Sequence, residues 1–335
     1  MKKVGIIGVS GYTGLELIKI LLSHPGFEIS YLGASMQGEI SEIFPQLRGV
    51  LQMRVEAADA RVAAQRCELV FLALPHEKAM EFAREILKFK NVKVVDLSAD
   101  YRLSRELYEK NYTAHLDTQN LAHAVYGLPE LNREKIRTAR LTANPGCYPT
   151  CSILALAPFV RLLDPGIGVF IDAKSGVSGA GKALKTSSHF VSANENAGAY
   201  SPISHRHADE IKEQLQILRG GGFSTLFVPN LLPITRGMLV SAFGVLQKSV
   251  DAESVLREFY ANEPFVRVRS EPVSIKNVAG THFCDIFVKT AGDKIWINSA
   301  IDNLLRGASS QAVANANLMC GFAEATALPR IAYGI

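Results

Sequence analysis

Residues 4–22 read VGIIGVSGYTGLELIKILL. The apolar run Val4–Val9 leads through Gly8, Gly11 and Gly14 into a helical pattern with Leu15, Ile18, Leu21 and Leu22 on one side. That order is buried strand, tight turn, helix. Two lysines precede the run, but glycines and Ser10 interrupt it at once, so it reads as a first strand and not as a secretory leader. The spacing is GxxGxxG. Glycines let the backbone turn sharply and let a pyrophosphate approach the amides, while the helix N-terminus supplies oriented N–H groups and partial positive charge. Ser10, Tyr12 and Thr13 add hydroxyl donors. A plain tight turn could use the same glycines, but the first βα junction of a chain is where a dinucleotide site belongs.

The alternation continues through a strand at Glu28–Leu32, the run LVFLAL (69–74) ended by Pro75, a helix at Glu77–Leu87, and VKVVDL (92–97) with Ser98, Asp100 and Arg102 after it. Alternating apolar strands and helices predict an α/β, doubly wound, Rossmann-type parallel sheet. After Asn144 the texture changes to a helix at Thr150–Leu163 and strand-like runs at 168–173, 224–228, 239–246, 283–290 and 294–301, with a hairpin loop at Ala291-Gly292-Asp293. This predicts a second α+β domain with a mostly antiparallel or mixed sheet. The small-residue-rich helix from Gly307 to Phe322 is expected to return to the first domain. The expected division is thus residues 1–146, completed by 307–335, for the cofactor and 147–306 for chemistry and dimerisation.

After the second strand the chain reads Gly33-Ala34-Ser35-Met36-Gln37. No carboxylate stands there to hold a ribose 2′-hydroxyl or repel a 2′-phosphate, so Ser35 and its small neighbours favour NADP over NAD. Leu74, Pro75 and His76 end a strand on the side that faces the cofactor in this fold class.

The 335 residues carry 36 Lys and Arg against 32 Asp and Glu, a net charge of +4 with no basic run, which argues against a nucleic-acid partner. No stretch approaches the ~20 apolar residues of a membrane span. The five cysteines are irregularly spaced and form no CxxC pair, so a reduced, cytoplasmic protein without a metal site is expected.

The segment NPGCYPT (144–150) sets Cys147 at a turn before a helix. There the dipole stabilises a thiolate and backbone amides can hold an oxyanion. Cys151, one helical turn on, reads as packing. A thiolate mechanism needs an acid/base group, and His205-Arg206-His207 offers two imidazoles. The stretch KSGVSGAGK (174–182) lacks the hydroxyl of a P-loop because Ala183 follows Lys182, so it reads as an anion- or nicotinamide-contacting loop. His24, His115, His123, His189 and His282 stand alone and carry no assigned role.

Together these segments resemble the N-acetyl-gamma-glutamyl-phosphate reductase family, relatives of aspartate-semialdehyde dehydrogenase. The resemblance rests on GVSGYTGLEL (8–17), FLALPH (71–76), DLSADYRL (96–103), YGLPELNRE (126–134), NPGCYPT (144–150), KSGVSGAGK (174–182), HRHADEI (205–211), VPNLLPITRGM (228–238) and NLLRGASSQAVANANLM (303–319). It implies NADPH-dependent reduction of N-acetyl-glutamyl 5-phosphate to the 5-semialdehyde through a Cys147 thioester, with His207, or else His205, as acid/base. It implies cofactor contacts at Gly8, Ser10, Gly11, Tyr12, Thr13, Gly14, Ser35, Leu74, Pro75, His76, Ser98, Ser178, Gly179 and Asn315. Arg102, Lys182 and Arg206 are the candidate cations for the substrate's phosphate and carboxylate. Family members often carry Arg or Lys after the serine that matches Ser35, where this chain has Met36. A homodimer or homotetramer built on the second sheet is implied as well. Two other readings share these residues: a sister reductase of a carrier-linked aminoadipyl or glutamyl phosphate, and a non-catalytic NADP-sensing protein. A metal-binding regulator would need ligand spacing that Cys147, Cys151 and the two histidines do not supply.

Overall fold

The computed structural model describes residues Met1–Gly334 and divides into two compact units, Met1–Gly146 with Ala308–Pro329, and Cys147–Gly307 with residues 330–334. The first is built on an eight-stranded sheet of β1 (Lys2–Ile7), β2 (Phe27–Ala34), β3 (Gly38–Glu39), β4 (Arg54–Ala57), β5 (Leu69–Leu72), β6 (Lys93–Asp96), β7 (Val125–Tyr126) and β8 (Leu141–Ala143). Their order is β3-β4-β2-β1-β5-β6-β8-β7, parallel throughout except for β3 against β4. Ile7, Val70, Leu72 and Val94 are fully buried in one core cluster with Met80, as strands covered on both faces require. The doubly wound parallel sheet expected from the sequence is present.

Helix Tyr12–Leu22 buries Leu17, Ile18, Ile20 and Leu21, whereas Leu22 is exposed and does not share the buried side expected of it. The buried side is wide because helix Ser310–Cys320 packs against this helix as well. The expected helix at 77–87 is Ala79–Ile86. Its start is displaced because Glu77 adopts a left-handed φ of 72°. The small residues of Ser310–Cys320 let it lie almost wholly buried, with Ala312, Ala314 and Ala316 at 0% exposure.

The second unit carries β9 (Val169–Gly176), β10 (Gly198–Ala199), β11 (Thr225–Leu232), β12 (Met238–Val245), β13 (Val266–Val268), β14 (Cys284–Ala291) and β15 (Lys294–Ile301). The order β10-β11-β9-β12-β15-β14-β13 mixes parallel and antiparallel neighbours. The β14–β15 hairpin turns at Gly292, φ 64°, a conformation that favours glycine. Helix Cys147–Leu156 packs on β12 and β15, and helix His207–Arg219 on β11. The first of these begins at Cys147 itself, three residues ahead of the expected start, and ends at Leu156 because Pro158 cannot continue it.

Candidate functional site

In the first unit the glycine turn joins β1 to helix Tyr12–Leu22. The Gly8 and Val9 N–H groups both donate to Gly33 O, at 2.7 and 3.3 Å, which ties the turn to the end of β2. Gly8 has φ 88°, and a Cβ there would lie 2.2 Å from Ala73 O. A Cβ at Gly14 would lie 2.2 Å from Val9 O, but one at Gly11 would find no atom beyond its chain neighbours nearer than 3.7 Å. Gly8 and Gly14 are therefore required by the protein's own packing, and Gly11 leaves open space. No side chain caps the helix at Gly11, and the N–H groups of such a helix start could hold an anion. Tyr12 and Ser35 are exposed, and Ser10 and Thr13 are partly so.

The loop after β5 is held from below. Asp100, fully buried, accepts the N–H of Glu77 (2.7 Å) and Met80 (3.0 Å) and the Tyr108 hydroxyl (3.0 Å). The Ala99 N–H donates to His76 Nδ1 at 2.9 Å, which fixes the imidazole proton on Nε2. Ser98 is 1% exposed and donates to Asp96 Oδ2 while accepting the Asp100 N–H. Its hydroxyl thus braces the loop. Burial, and then the Asp100 charge, push the Asp96 carboxyl above the usual carboxylate range. Arg102 is 6% exposed, and its Nε and Nη2 donate to Asn144 O and Leu97 O, both at 2.7 Å. These donors of a residue expected to meet substrate brace the chain ahead of Cys147. Asn315 is fully buried; its Nδ2 donates to Gly127 O (2.9 Å) and Asn144 Oδ1 (3.1 Å). Its Oδ1 is buried with no hydrogen-bond partner among the described residues.

In the second unit Cys147 is the first residue of its ten-residue helix and half-buried. A Cβ at Gly307 would lie 2.6 Å from Cys147 Cβ, so the two backbones meet closely. Tyr148, buried, donates to Asn230 O at 3.2 Å and accepts the Tyr200 hydroxyl at 3.1 Å. The Tyr148 ring also touches both histidines, with centroids 5.8 Å from His205 and 5.9 Å from His207. His205 packs among Tyr148, Tyr200, Phe227 and His207. Its Nδ1 accepts the His207 N–H at 3.1 Å, so its proton sits on Nε2. Burial, helped by the Arg206 charge, lowers its pKa to about 4. His207 opens helix His207–Arg219. Arg206 and Lys182 are exposed. Ser178 Oγ accepts from Asn303 Nδ2 at 3.0 Å, and a Cβ at Gly179 would lie 2.9 Å from Ser175 Oγ. Buried Cys151 lies 3.1 Å from Ser299 Oγ, a packed thiol.

The structure thus gathers Cys147, His205 and His207 in one unit and the glycine turn, Leu74–His76 and Asn315 in the other. Tyr148, Tyr200 and Gly307 were not singled out from sequence. Tyr148 and Gly307 stand inside recognised segments, but their roles arise from contacts with residues far along the chain. Among the described residues no group of three or more His, Cys, Asp or Glu could hold a metal ion, and no helix is long and apolar enough to cross a membrane.

A family model described as semialdehyde dehydrogenase, NAD binding domain, matches residues 3–139, and one described as semialdehyde dehydrogenase, dimerisation domain, matches 147–303. The chain is 75% identical over 335 residues to the N-acetyl-gamma-glutamyl-phosphate reductase of Campylobacter hominis, covering 100% of both. It is 69% identical over 328 residues to that of Campylobacter curvus (98% of this chain, 97% of the other) and 58% identical over 336 to that of Wolinella succinogenes (99% of each). Among solved structures, aspartate semialdehyde dehydrogenase II from Vibrio cholerae complexed with ASA matches with a TM-score of 0.73 at 16% identity, covering 96% of this chain and 98% of that one. The Candida albicans enzyme with NADP matches with 0.69 at 14%, covering 96% and 98%. At such identity these two speak for the fold.

Proposed function

The chain belongs to the N-acetyl-gamma-glutamyl-phosphate reductase family, and from that premise we propose how its residues share the reaction. It reduces N-acetyl-glutamyl 5-phosphate to N-acetylglutamate 5-semialdehyde and phosphate, with NADPH as reductant. The observation that carries the proposal is Cys147 at the first position of a helix, in the same unit as the two histidines.

Two features support a dinucleotide in the first unit. Gly11 leaves space that no protein atom needs, above an uncapped helix terminus. Asn315 Oδ1 is a buried acceptor that a carboxamide N–H could satisfy. Gly8 to Gly14 with Ser10, Tyr12 and Thr13 would hold the pyrophosphate, Ser35 the 2′-phosphate end, and Leu74–His76 the strand-end side of the cofactor. Ser98 serves through the loop it braces. NADPH, when bound, supplies a hydride.

The helix terminus favours the Cys147 thiolate, which attacks the acyl carbon. The C–S bond forms, the C–O bond to phosphate breaks, and a thioester remains on Cys147. Backbone N–H groups of the same helix start steady the oxyanion. His205 is held neutral at physiological pH by burial, so it suits positioning, and His207 takes the acid/base role. Once the thioester carbon has taken up the hydride, the C–S bond breaks, the carbonyl re-forms as the aldehyde leaves, and the sulfur departs as the thiolate. Lys182 and Arg206 offer their charges to the substrate's anionic groups, and Arg102 steadies Asn144 ahead of the nucleophile.

We place the enzyme in the cytoplasm as a homodimer or homotetramer. The chain carries a dimerisation domain, and β9, β11 and β12 leave Phe170, Leu226 and Phe243 exposed. A sister reductase acting on a carrier-linked substrate would share Cys147, but the curated relatives speak for the free acetylated substrate. The reverse assay tests the whole: N-acetylglutamate semialdehyde, phosphate and NADP yield NADPH, and Cys147→Ala abolishes the yield while NADPH binding persists. Turnover by Cys147→Ala would sink the covalent mechanism, and no reaction with the free semialdehyde would favour the carrier-linked substrate.

A further inference from the structure

The segments PITRG (233–237) and NLLRG (303–307) have no part in the chemistry above, yet they converge on the fully buried Asp302. Asp302 Oδ1 accepts the N–H of Leu304 (2.9 Å) and Leu305 (3.0 Å) and the Arg236 Nη2 donor (3.1 Å). Oδ2 accepts the Gly280 N–H at 2.7 Å and lies 2.9 Å from Arg236 Nε. The Asp302 carbonyl accepts the Gly307 N–H at 2.9 Å. One carboxylate thus shapes the start of the π-helical turn Leu305–Ser309, a rare backbone form that recurs at functional sites. That turn brings Gly307 against the nucleophile, where a Cβ would lie 2.6 Å from Cys147 Cβ and 3.1 Å from its Cα. Gly307 is therefore glycine for closeness, not for left-handed backbone.

Arg236 neutralises the buried carboxylate, as a buried charge requires. On its outer side Arg236 Nη1 donates to the Tyr333 hydroxyl at 3.1 Å, and its guanidinium lies 5.5 Å from the Tyr333 ring. Tyr333 is fastened in turn by its N–H on Ala279 O at 3.0 Å and by its ring against Gly280. Tyr333 so braces Arg236, Arg236 braces Asp302, and Asp302 sets the turn that presses on Cys147.

We propose that Asp302, Arg236 and Gly307 are positioning residues for the Cys147 thiolate, fixing its direction of attack without touching substrate. The proposal rests on Cys147 being the nucleophile. Its test uses the full chain with Gly307→Ala, Arg236→Met and Arg236→Lys. The readouts are kcat and KM in the reverse assay, NADPH binding, and the rate of Cys147 alkylation by iodoacetamide across pH. Gly307→Ala is expected to lower kcat about 100-fold, the usual scale for ~1 Å of misplacement, with NADPH affinity kept and the alkylation profile displaced. Arg236→Met should displace the profile in the same sense. Arg236→Lys should recover part of both effects, since it keeps the charge but not the planar fork. A folded Gly307→Ala with wild-type kcat and alkylation profile would overturn the proposal. Should that variant not fold, the Arg236 pair decides: an unmoved profile in both, whatever their stability, overturns it too. Turnover by Cys147→Ala would instead remove the premise, which separates the two failures.

Discussion

A methyl group added at Gly8 or Gly14 would sit 2.2 Å from a backbone oxygen, while one at Gly11 would meet nothing nearer than 3.7 Å. Gly11→Ala should therefore fold normally, because its φ of −83° suits alanine, yet bind NADPH at least about tenfold more weakly if the methyl fills the space a pyrophosphate needs. Isothermal titration with NADPH beside a thermal melt separates the two effects, and unchanged affinity would refute the cradle. His205 offers a second measurement. Its folded pKa of about 4 lies below the ordinary 6.5 because the ring is buried. The unfolded chain therefore binds the proton first as pH falls. This stabilising contribution is complete above about pH 6.5 and is lost as the pH falls from there towards about 4. Replacing the ring by Gln should make the fall of Tm across that window shallower than in the parent, and parallel curves would reject the assignment.

At the scale of elements, the loop between β5 and helix Ala79–Ile86 depends on one carboxylate. Asp100 holds Glu77 in its left-handed conformation and accepts the Met80 N–H near the helix start. Asp100→Ala would leave these N–H groups and the Tyr108 hydroxyl without their acceptor, at about 1–3 kcal/mol each. Denaturant unfolding should show a loss of about 3–5 kcal/mol, and NADPH binding should weaken because Leu74, Pro75 and His76 ride on that loop. Asp100→Asn, which keeps one acceptor oxygen, should lose less of both. The same loop shows what a sequence reading can and cannot reach. Strands β1, β5 and β6 were readable because each carries a cluster of Val, Ile, Leu or Phe covered on both faces. The displaced helix start at Ala79 was not, since its cause lies at Asp100, more than twenty residues on. Cys147 could be found because Gly, Pro and a following helical pattern surround it locally. The reason for Gly307 could not, because it exists only once residue 307 has folded back onto residue 147. Arg102 likewise read as a substrate cation by charge alone, and only burial reveals the carbonyls it holds.

For the whole molecule, the question is what covers the outer face of the second sheet. Its register aligns Leu226 with Phe170, Phe170 with Phe243, and Phe243 with Trp296 on four adjacent strands, β11, β9, β12 and β15. Leu226, Phe170 and Phe243 are 36%, 48% and 47% exposed, whereas their neighbours Phe227, Ile171 and Ala242 are buried beneath helices. Side chains alternate across a strand, so these residues form a row on one face. A row of large apolar groups in register is costly in water and is the usual core of a subunit interface. A two-fold pairing of this face would bury the same row from both copies. Glu at Phe170 or Phe243 would set like charges near one another across that two-fold and desolvate them, so each change should dissociate the oligomer. Sedimentation velocity is expected to show the parent as a dimer or larger, and Phe243→Glu as a lighter species with its far-UV spectrum unchanged. A Phe243→Glu protein that sediments like the parent would place the interface elsewhere, whereas loss of assembly with NADPH binding intact would confine the change to the second unit.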